Sequence, residues 1–479
     1  MRSTSLAALL VIPLLASCMF LLDFDELQSG NGAEGGEPSS GGAAGATSGG
    51  ASGAGGACTC DDQDPCTEDR CDPDSPDGCV HDPRPGLVLD GLDATLEAEQ
   101  HFRVAMVAGG GYFYLSAFEL RDGEPEVSIY RAGATGSEVE TLLTLSDPVR
   151  GDGTVVSNAG LAIDTSFGIT LHGLVAVEGA AGVVRVMHVT HRQDQTDVQT
   201  VGLDYQPNPL VFPQLLTIGT ERYGAWIQGD GTVAMTEVGP GVPGVPGLPD
   251  MFGSSADPAG TLALIASVDN SPALLYTTPS GVFADTGQSR VQVEECQPAD
   301  GDYLSSSAIE TPVPGLWLAN FTKFGADYLT NGSATLVCSA ERCASKTERC
   351  TAEDANNGAR NAAGASVRFD TDPAGVGYSV LALPSVAASE GTASGIEASL
   401  TLAGFKLDFS TDDVGNQALG EPFFVSTMAT TEELSFAGPD WPALAILATR
   451  QVGLAWIQPK LDGTGSELRV QRYRMCTAD

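Results

Sequence analysis

Cys58, Cys60, Cys66, Cys71 and Cys79 crowd into one short stretch, while Cys296, Cys338, Cys343, Cys350 and Cys476 are spread over the rest of the chain; with Cys18 they make eleven. In an oxidising compartment, cysteines at such density form disulfides. With Cys18 set aside each group holds an odd number, so either one bridge joins the two groups or each keeps a free thiol. One assignment ties Cys343 to Cys350 as a local staple, Cys296 to Cys338 across two strand ends, and Cys476 to the first group through Cys58. Zinc on Cys58-Thr59-Cys60 is the competing chemistry, and both spacing and compartment disfavour it. The same stretch carries Asp61, Asp62, Asp64, Glu68, Asp69 and Asp72. Hard cations are held by clustered carboxylate oxygens, so these six are the candidate ligands of a Ca2+ site, set against a solvated acidic loop. An EF-hand is excluded, because Pro65 follows Asp64 where a further ligand and a glycine would be needed. No other cofactor is implied.

The five histidines are His81, His101, His172, His188 and His191. His188-Val189-Thr190-His191 has the look of a metal pair, but residues three apart on a strand point to opposite faces, so the expectation is His188 at a strand end and His191 in solvent. The chain has no G-x-S-x-G elbow, no H-E-x-x-H and no P-loop, which removes the local signatures of the common serine, zinc and nucleotide machineries. Paired carboxylates for glycoside hydrolysis stay open, since 62 acids guarantee adjacent pairs whose separation only a structure gives.

Cys18 closes Leu15-Ala16-Ser17-Cys18, after a basic start at Arg2 and an apolar stretch from Leu6 to Leu15. Charge, apolar length and box follow in the order of an export signal. The box resembles the lipobox of bacterial lipoproteins, and the resemblance implies diacylglyceration of the Cys18 thiol, cleavage before it and acylation of the new amine. The expected protein is therefore exported and lipid-anchored to a bacterial membrane, the outer membrane or cell surface being the expected place. Residues 1–17 would be the signal peptide and 18–57 the acylated start and linker.

Composition agrees with an exported body. The chain has 479 residues, with 23 Lys and Arg against 62 Asp and Glu and a formal net charge of -39; losing Arg2 with the signal takes it to -40. Such a surface repels phosphate backbones and anionic headgroups, which argues against nucleic acid and leaves the acyl chains to hold the membrane. Residues 29–57 are almost entirely Gly, Ala and Ser, and cannot bury enough surface to offset chain entropy. As a random coil this disordered tether reaches about 30 Å. Residues 58–86 form a small cysteine-rich acidic module that is too short for a core and must be ordered by its disulfides. Its run from Cys60 to Asp72 resembles the C-D-D-x-x-P-C-T-x-D-x-C-D repeats of bacterial surface proteins.

Residues 87–479 are repetitive. Ala225-Trp226-Ile227-Gln228 returns as Ala455-Trp456-Ile457-Gln458, each followed by Asp-Gly-Thr, at 230–232 and 462–464, and the two copies use two of only four tryptophans. Each copy sits in the phrase strand, short turn, second strand, Asp-Gly turn, third strand. Weaker copies put the second strands near 111, 167, 223, 273, 315, 377 and 453, a mean step of about 57 residues. Four-stranded units at a steady period predict an all-β chain folded as a β-propeller of seven blades, six or eight being the neighbouring counts, with a pair of β-sandwiches as the alternative. The phrase resembles that of bacterial propellers with G-x-A-W strands and Asp-Gly turns. Sialidase-like propellers carry an S-x-D-x-G-x-T-W box, and no complete copy occurs here. Gly239 to Asp250 reads as an extended Pro-rich loop.

Two function classes follow. In the first, a monomeric propeller is a non-enzymatic binding or scaffold domain for an envelope protein or glycan; in the second, it is an extracellular hydrolase or lyase acting on polysaccharide. Propeller enzymes combine acids with His, Arg or Tyr, and this chain is poor in all three, which favours the first.

Overall fold

The computed structural model describes most of residues 60–477. Residues 1–59 and a set of inter-strand segments lie outside the description, the longest being 205–212, 239–249, 293–300, 345–357, 389–395, 409–421 and 433–439, as do the side chains of the sheet between 301 and 344. Cys18, the linker, Cys58, Cys296, Cys350 and the Pro-rich loop before Asp250 therefore lie outside it. Among the described residues, Gly86–Met475 forms one compact unit, and those from Cys60 to Pro85 together with Cys476 and Thr477 form another. No helix among the described residues is long and apolar enough to cross a membrane.

The large unit is all-β, built from seven antiparallel sheets of four or five strands. Their first strands are Gln100–Gly109, Gly160–Asp164, Gln214–Ile218, Thr261–Ala266, Gly301–Glu310, Ala363–Val367 and Asp440–Ile446. Each touches the first strand of the next sheet, and the last touches Gln100–Gly109 again. The result is a closed ring of inner strands, which is the architecture of a β-propeller and rules out the paired sandwiches. We number the blades one to seven from Gln100. The second strands, Tyr112–Arg121, Thr170–Glu178, Glu221–Ile227, Pro272–Thr278, Trp317–Gly325, Val376–Ala388 and Gln451–Pro459, begin within about three residues of the expected positions.

Second strands are sandwiched between neighbouring blades, so both of their faces are covered. That is why Leu171 to Val177 and Val452 to Ile457 are buried without alternation. Hairpin chemistry sets the turns. Asp122 and Gly123 take φ of 53° and 76°, the left-handed pair that a two-residue hairpin between Tyr112–Arg121 and Glu124–Gly133 demands. Gly231 takes φ of 81°, and a Cβ there would meet Pro258 Cβ at 2.2 Å. Its partner Asp230 accepts from the amide and hydroxyl of Thr232, at 2.9 and 2.6 Å.

The repeat of Ala-Trp-Ile-Gln is a repeat of packing. Trp226, fully buried in the second strand of blade three, lies among Leu174, Ala176, Val184 and Val186 of blade two. Trp456, in the second strand of blade seven, lies among Val380, Ala382, Leu400 and Leu402 of blade six. Their neighbours point the other way: Ala225 and Ile227 pack with blade four, and Ala455 and Ile457 with blade one. The polar ends differ. Trp456 Nε1 donates to Gln458 Oε1 at 3.3 Å, whereas Gln228 turns its amide to Met251 Sδ at 3.7 Å and Trp226 Nε1 has no acceptor among the described residues.

The seventh blade departs from the expected phrase. Its inner three strands come from the end of the sequence, but its outer strand is Gly86–Glu97, paired with Ser466–Cys476. Leu92 of the outer strand is buried, and Asp93 takes Arg469 Nη2 at 3.3 Å and Gln471 Nε2 at 3.1 Å. Arg472, almost fully buried, donates to Gly133 O of blade one at 2.7 Å and to Asp90 O.

Because both tryptophans fill the space between sheets, Trp226→Ala and Trp456→Ala are each expected to lower unfolding free energy by about 3–5 kcal/mol. Urea denaturation followed by circular dichroism measures this. Val425→Ala, at a position 41% exposed, should stay within about 0.5 kcal/mol of the parent. Equal, small losses at all three positions would remove the inter-blade role of the repeat.

Candidate functional site

In the small unit Thr67–Cys71 pairs with Cys79–Pro83 in a two-stranded hairpin. Cys60 bonds to Cys79, Cys71 is also disulfide-bonded, and Cys66 bonds to Cys476. The expected bridge from this module to Cys476 is present, but its partner is Cys66 and not Cys58. Cys343 of the expected Cys343–Cys350 staple stands opposite Cys338 in the backbone register of blade five.

The hairpin register places Asp69 opposite His81. His81 Nδ1 lies 2.6 Å from Asp69 Oδ1 and 3.3 Å from Asp62 Oδ2. Asp69 Oδ2 takes the Asp62 amide at 3.1 Å, and Thr67 Oγ1 donates to Asp62 Oδ1 at 3.0 Å. One donor atom from each of Asp62, Asp69 and His81 falls within 4.8 Å of the others. The hydrogen bond from His81 lowers the Asp69 carboxyl from its ordinary value. Two carboxylates and an imidazole suit a first-row transition ion better than Ca2+, which prefers oxygen alone.

Of the six expected carboxylates the structure brings Asp62 and Asp69 together, with His81. Asp61, Asp64 and Asp72 spend an oxygen on the amides of Gln63, Cys66 and Asp74, at 2.8, 3.0 and 3.0 Å, which are Asx-turn bonds that shape the loop. Arg70 pairs with Asp82 at 2.8 Å and with Asp72 at 3.6 Å, and Glu68 stands opposite Asp82 in the register rather than in the cluster. His81 was absent from the expected set. Its signal lay in the spacing, because Cys71 and Cys79 face each other and residues two steps outward on each strand then meet.

Inside the propeller, two of the clusters of ionisable groups among the described residues lie at seams between blades. Glu119, fully buried in blade one, accepts from Ser128 Oγ at 2.8 Å, Tyr130 OH at 3.1 Å and Arg121 Nη2 at 2.8 Å. His101 Nε2 lies 3.2 Å from Glu119 Oε2, an ion-pair distance without hydrogen-bond alignment. Burial works against the Glu119 charge, but His101, Arg121 and Ser128 outweigh it and hold the carboxyl at about 2. Burial and Glu119 together push the Tyr130 hydroxyl up to about 12. The His101 amide donates to Ser466 Oγ at 2.5 Å, tying the first strand of blade one to the last strand of blade seven.

At the second seam His188 lies in the middle of Val184–Arg192, 2% exposed, so its expected place at a strand end is corrected. Its partner is His172 on the neighbouring strand and not His191: His172 Nδ1 is 3.2 Å from His188 Nε2, with the rings stacked at 5.3 Å. His191 Nδ1 meets Thr196 Oγ1 at 3.0 Å. Arg222 of blade three donates to Asp164 of blade two at 2.6 Å. Burial and the Arg222 charge hold the His172 and His188 imidazoles down at about 3 and about 4. A cation beside two imidazoles disfavours a metal ion there, and neutral rings this acidic are poor bases at neutral pH.

No family model matches the sequence, and no curated protein matches it. Among solved structures the chain is similar, at 10% identity each, to the Hadza microbial sialidase Hz136, to the WD40 domain of SCAP from fission yeast and to a prolyl endopeptidase. The TM-scores are 0.40, 0.37 and 0.41, and the alignments cover 78%, 82% and 80% of this chain. They span 66% of the sialidase, 99% of the WD40 domain and 51% of the endopeptidase. At this level the likenesses carry no argument about chemistry.

The two histidines make stability depend on pH. Their folded values lie below the ordinary 6.5, so the unfolded chain binds more protons once pH falls under 6.5. Stability is complete above that value and is lost as pH drops toward 4. Glu119, held at about 2 against 4.5, adds a second loss below pH 4.5. Melting temperature should fall by several degrees between pH 7 and pH 4.5 in the parent, and by clearly less in His172→Asn/His188→Asn. Parallel curves for the two would refute the assignment.

Proposed function

We propose that this protein is an exported lipoprotein, anchored through Cys18, that presents its β-propeller as a non-enzymatic binding or scaffold domain at the bacterial envelope. The observation that carries the binding reading is the make-up of the ring of inner strands. Gln214–Ile218, Thr261–Ala266 and Ala363–Val367 contain no ionisable residue, and the acids of the other four, Asp164, Asp302, Glu310 and Asp440, are spread over three strands. Arg103 is the only basic residue other than His101 on the seven inner strands. Burial pushes its guanidinium down to about 9. The ionisable clusters at the seams join strands and blades, as ties in a rigid platform do, and rigid scaffolds with variable loops are the usual bearers of binding sites. The lipobox and the Gly/Ala/Ser-rich linker support the anchor.

Two measurements test this reading. Cys18→Ala should move the protein from the membrane to the soluble fraction and abolish incorporation of labelled fatty acid; unchanged fractionation and labelling would exclude the anchor. The mature protein, with its disulfides intact, should retain a glycan or an envelope protein in an unbiased binding screen without altering it. Shortened polysaccharide chains after incubation would instead establish a hydrolase or lyase.

A further inference from the structure

We propose that the Cys66–Cys476 disulfide is a covalent latch on the closing blade, holding the outer strand Gly86–Glu97 in its seat. The ring has one joint that chain connectivity does not protect. Blade seven is assembled from two distant parts of the sequence, with Gly86–Glu97 outermost and Ser466–Cys476 as its only neighbour within the sheet. The contacts along that pair run in opposite order, Arg472 with Asp90, Arg469 with Asp93 and Lys460 with Glu97. The Gly86 end of the outer strand is therefore on the Cys476 side of the pair. An outer strand bonded on one side only is the easiest to lose, and it peels from an end.

The bridge joins residues 410 apart in sequence, yet it shortens the path across this joint to the segment from Cys66 to Gly86. That segment is itself held together: Arg84 N donates to Cys66 O at 2.8 Å, the hairpin pairs Thr67 with Pro83, and Cys60 is bonded to Cys79. Without the bridge, a peeled strand is tied to the propeller only where it runs on into Gln100–Gly109 of blade one. With it, the strand is confined by a closed loop of about 20 residues, short enough that its effective concentration at the edge of Ser466–Cys476 is in the millimolar range. Re-pairing then outruns escape. The inference stands on connectivity and is independent of whether Cys18 is acylated.

Hydrogen exchange by mass spectrometry on the full mature chain tests it. Cys66→Ser leaves Cys476 in its buried place and removes only the bond. Amides of Gly86–Glu97 and Ser466–Cys476 should then exchange about tenfold faster or more, while those of Glu221–Ile227 in blade three change less than about twofold. Unchanged exchange along Gly86–Glu97 overturns the proposal, and so does an equal acceleration in all seven blades, which would mark general destabilisation. If Cys66→Ser does not fold, native protein reduced in place with a dithiol and alkylated at Cys66 gives the same two readings.

Discussion

Everything in the large unit depends on the pairing of Gly86–Glu97 with Ser466–Cys476. Propeller blades have no core of their own; each buries its faces only because a neighbour stands on either side, so a ring with one open joint exposes apolar surface on both sides of the gap. Here the joint is held by several interactions of different kinds: the backbone ladder, the buried Leu92, the ties from Arg469 and Arg472, and a disulfide at the end of the last strand. Redundancy is what an edge strand bonded on one side needs.

The buried polar groups follow from the same requirement. Apolar packing between flat sheets is strong but does not fix how far one sheet slides along the next, whereas a directed bond does. Ser466 with His101, Arg472 with Gly133 and Arg222 with Asp164 each cross from one blade to its neighbour, and two of the three join blade seven to blade one. Burying such charges costs free energy that pairing only partly offsets. Their return is registration of the blades, and their consequence is sensitivity to acid, because Glu119 needs its charge and the His172–His188 pair must stay neutral.

The acidic module shows how abundance of one residue type misleads. Asp61, Asp62, Asp64 and Asp72 each accept the backbone amide two residues ahead, which gives a core-less segment its shape. Only Asp62 and Asp69 converge, and they do so on a histidine beyond the acidic run, brought over by the hairpin that Cys71 and Cys79 terminate.

What the sequence alone determined about this protein is what is local and periodic. The recurrence of Ala-Trp-Ile-Gln, the Asp-Gly turns and the near-regular step located all seven second strands, because strand period and turn chemistry are written within a few residues. Tertiary structure alone decided which distant residues meet. That Gly86–Glu97 completes the last blade, that Cys476 reaches Cys66 rather than Cys58, that His188 is buried against His172, and that His81 joins Asp62 and Asp69 are all outcomes of register and ring closure. The first two depend on closure of a ring of seven sheets, which no window of neighbouring residues contains, and the last two on hairpin register, where a slip of one residue would part the partners.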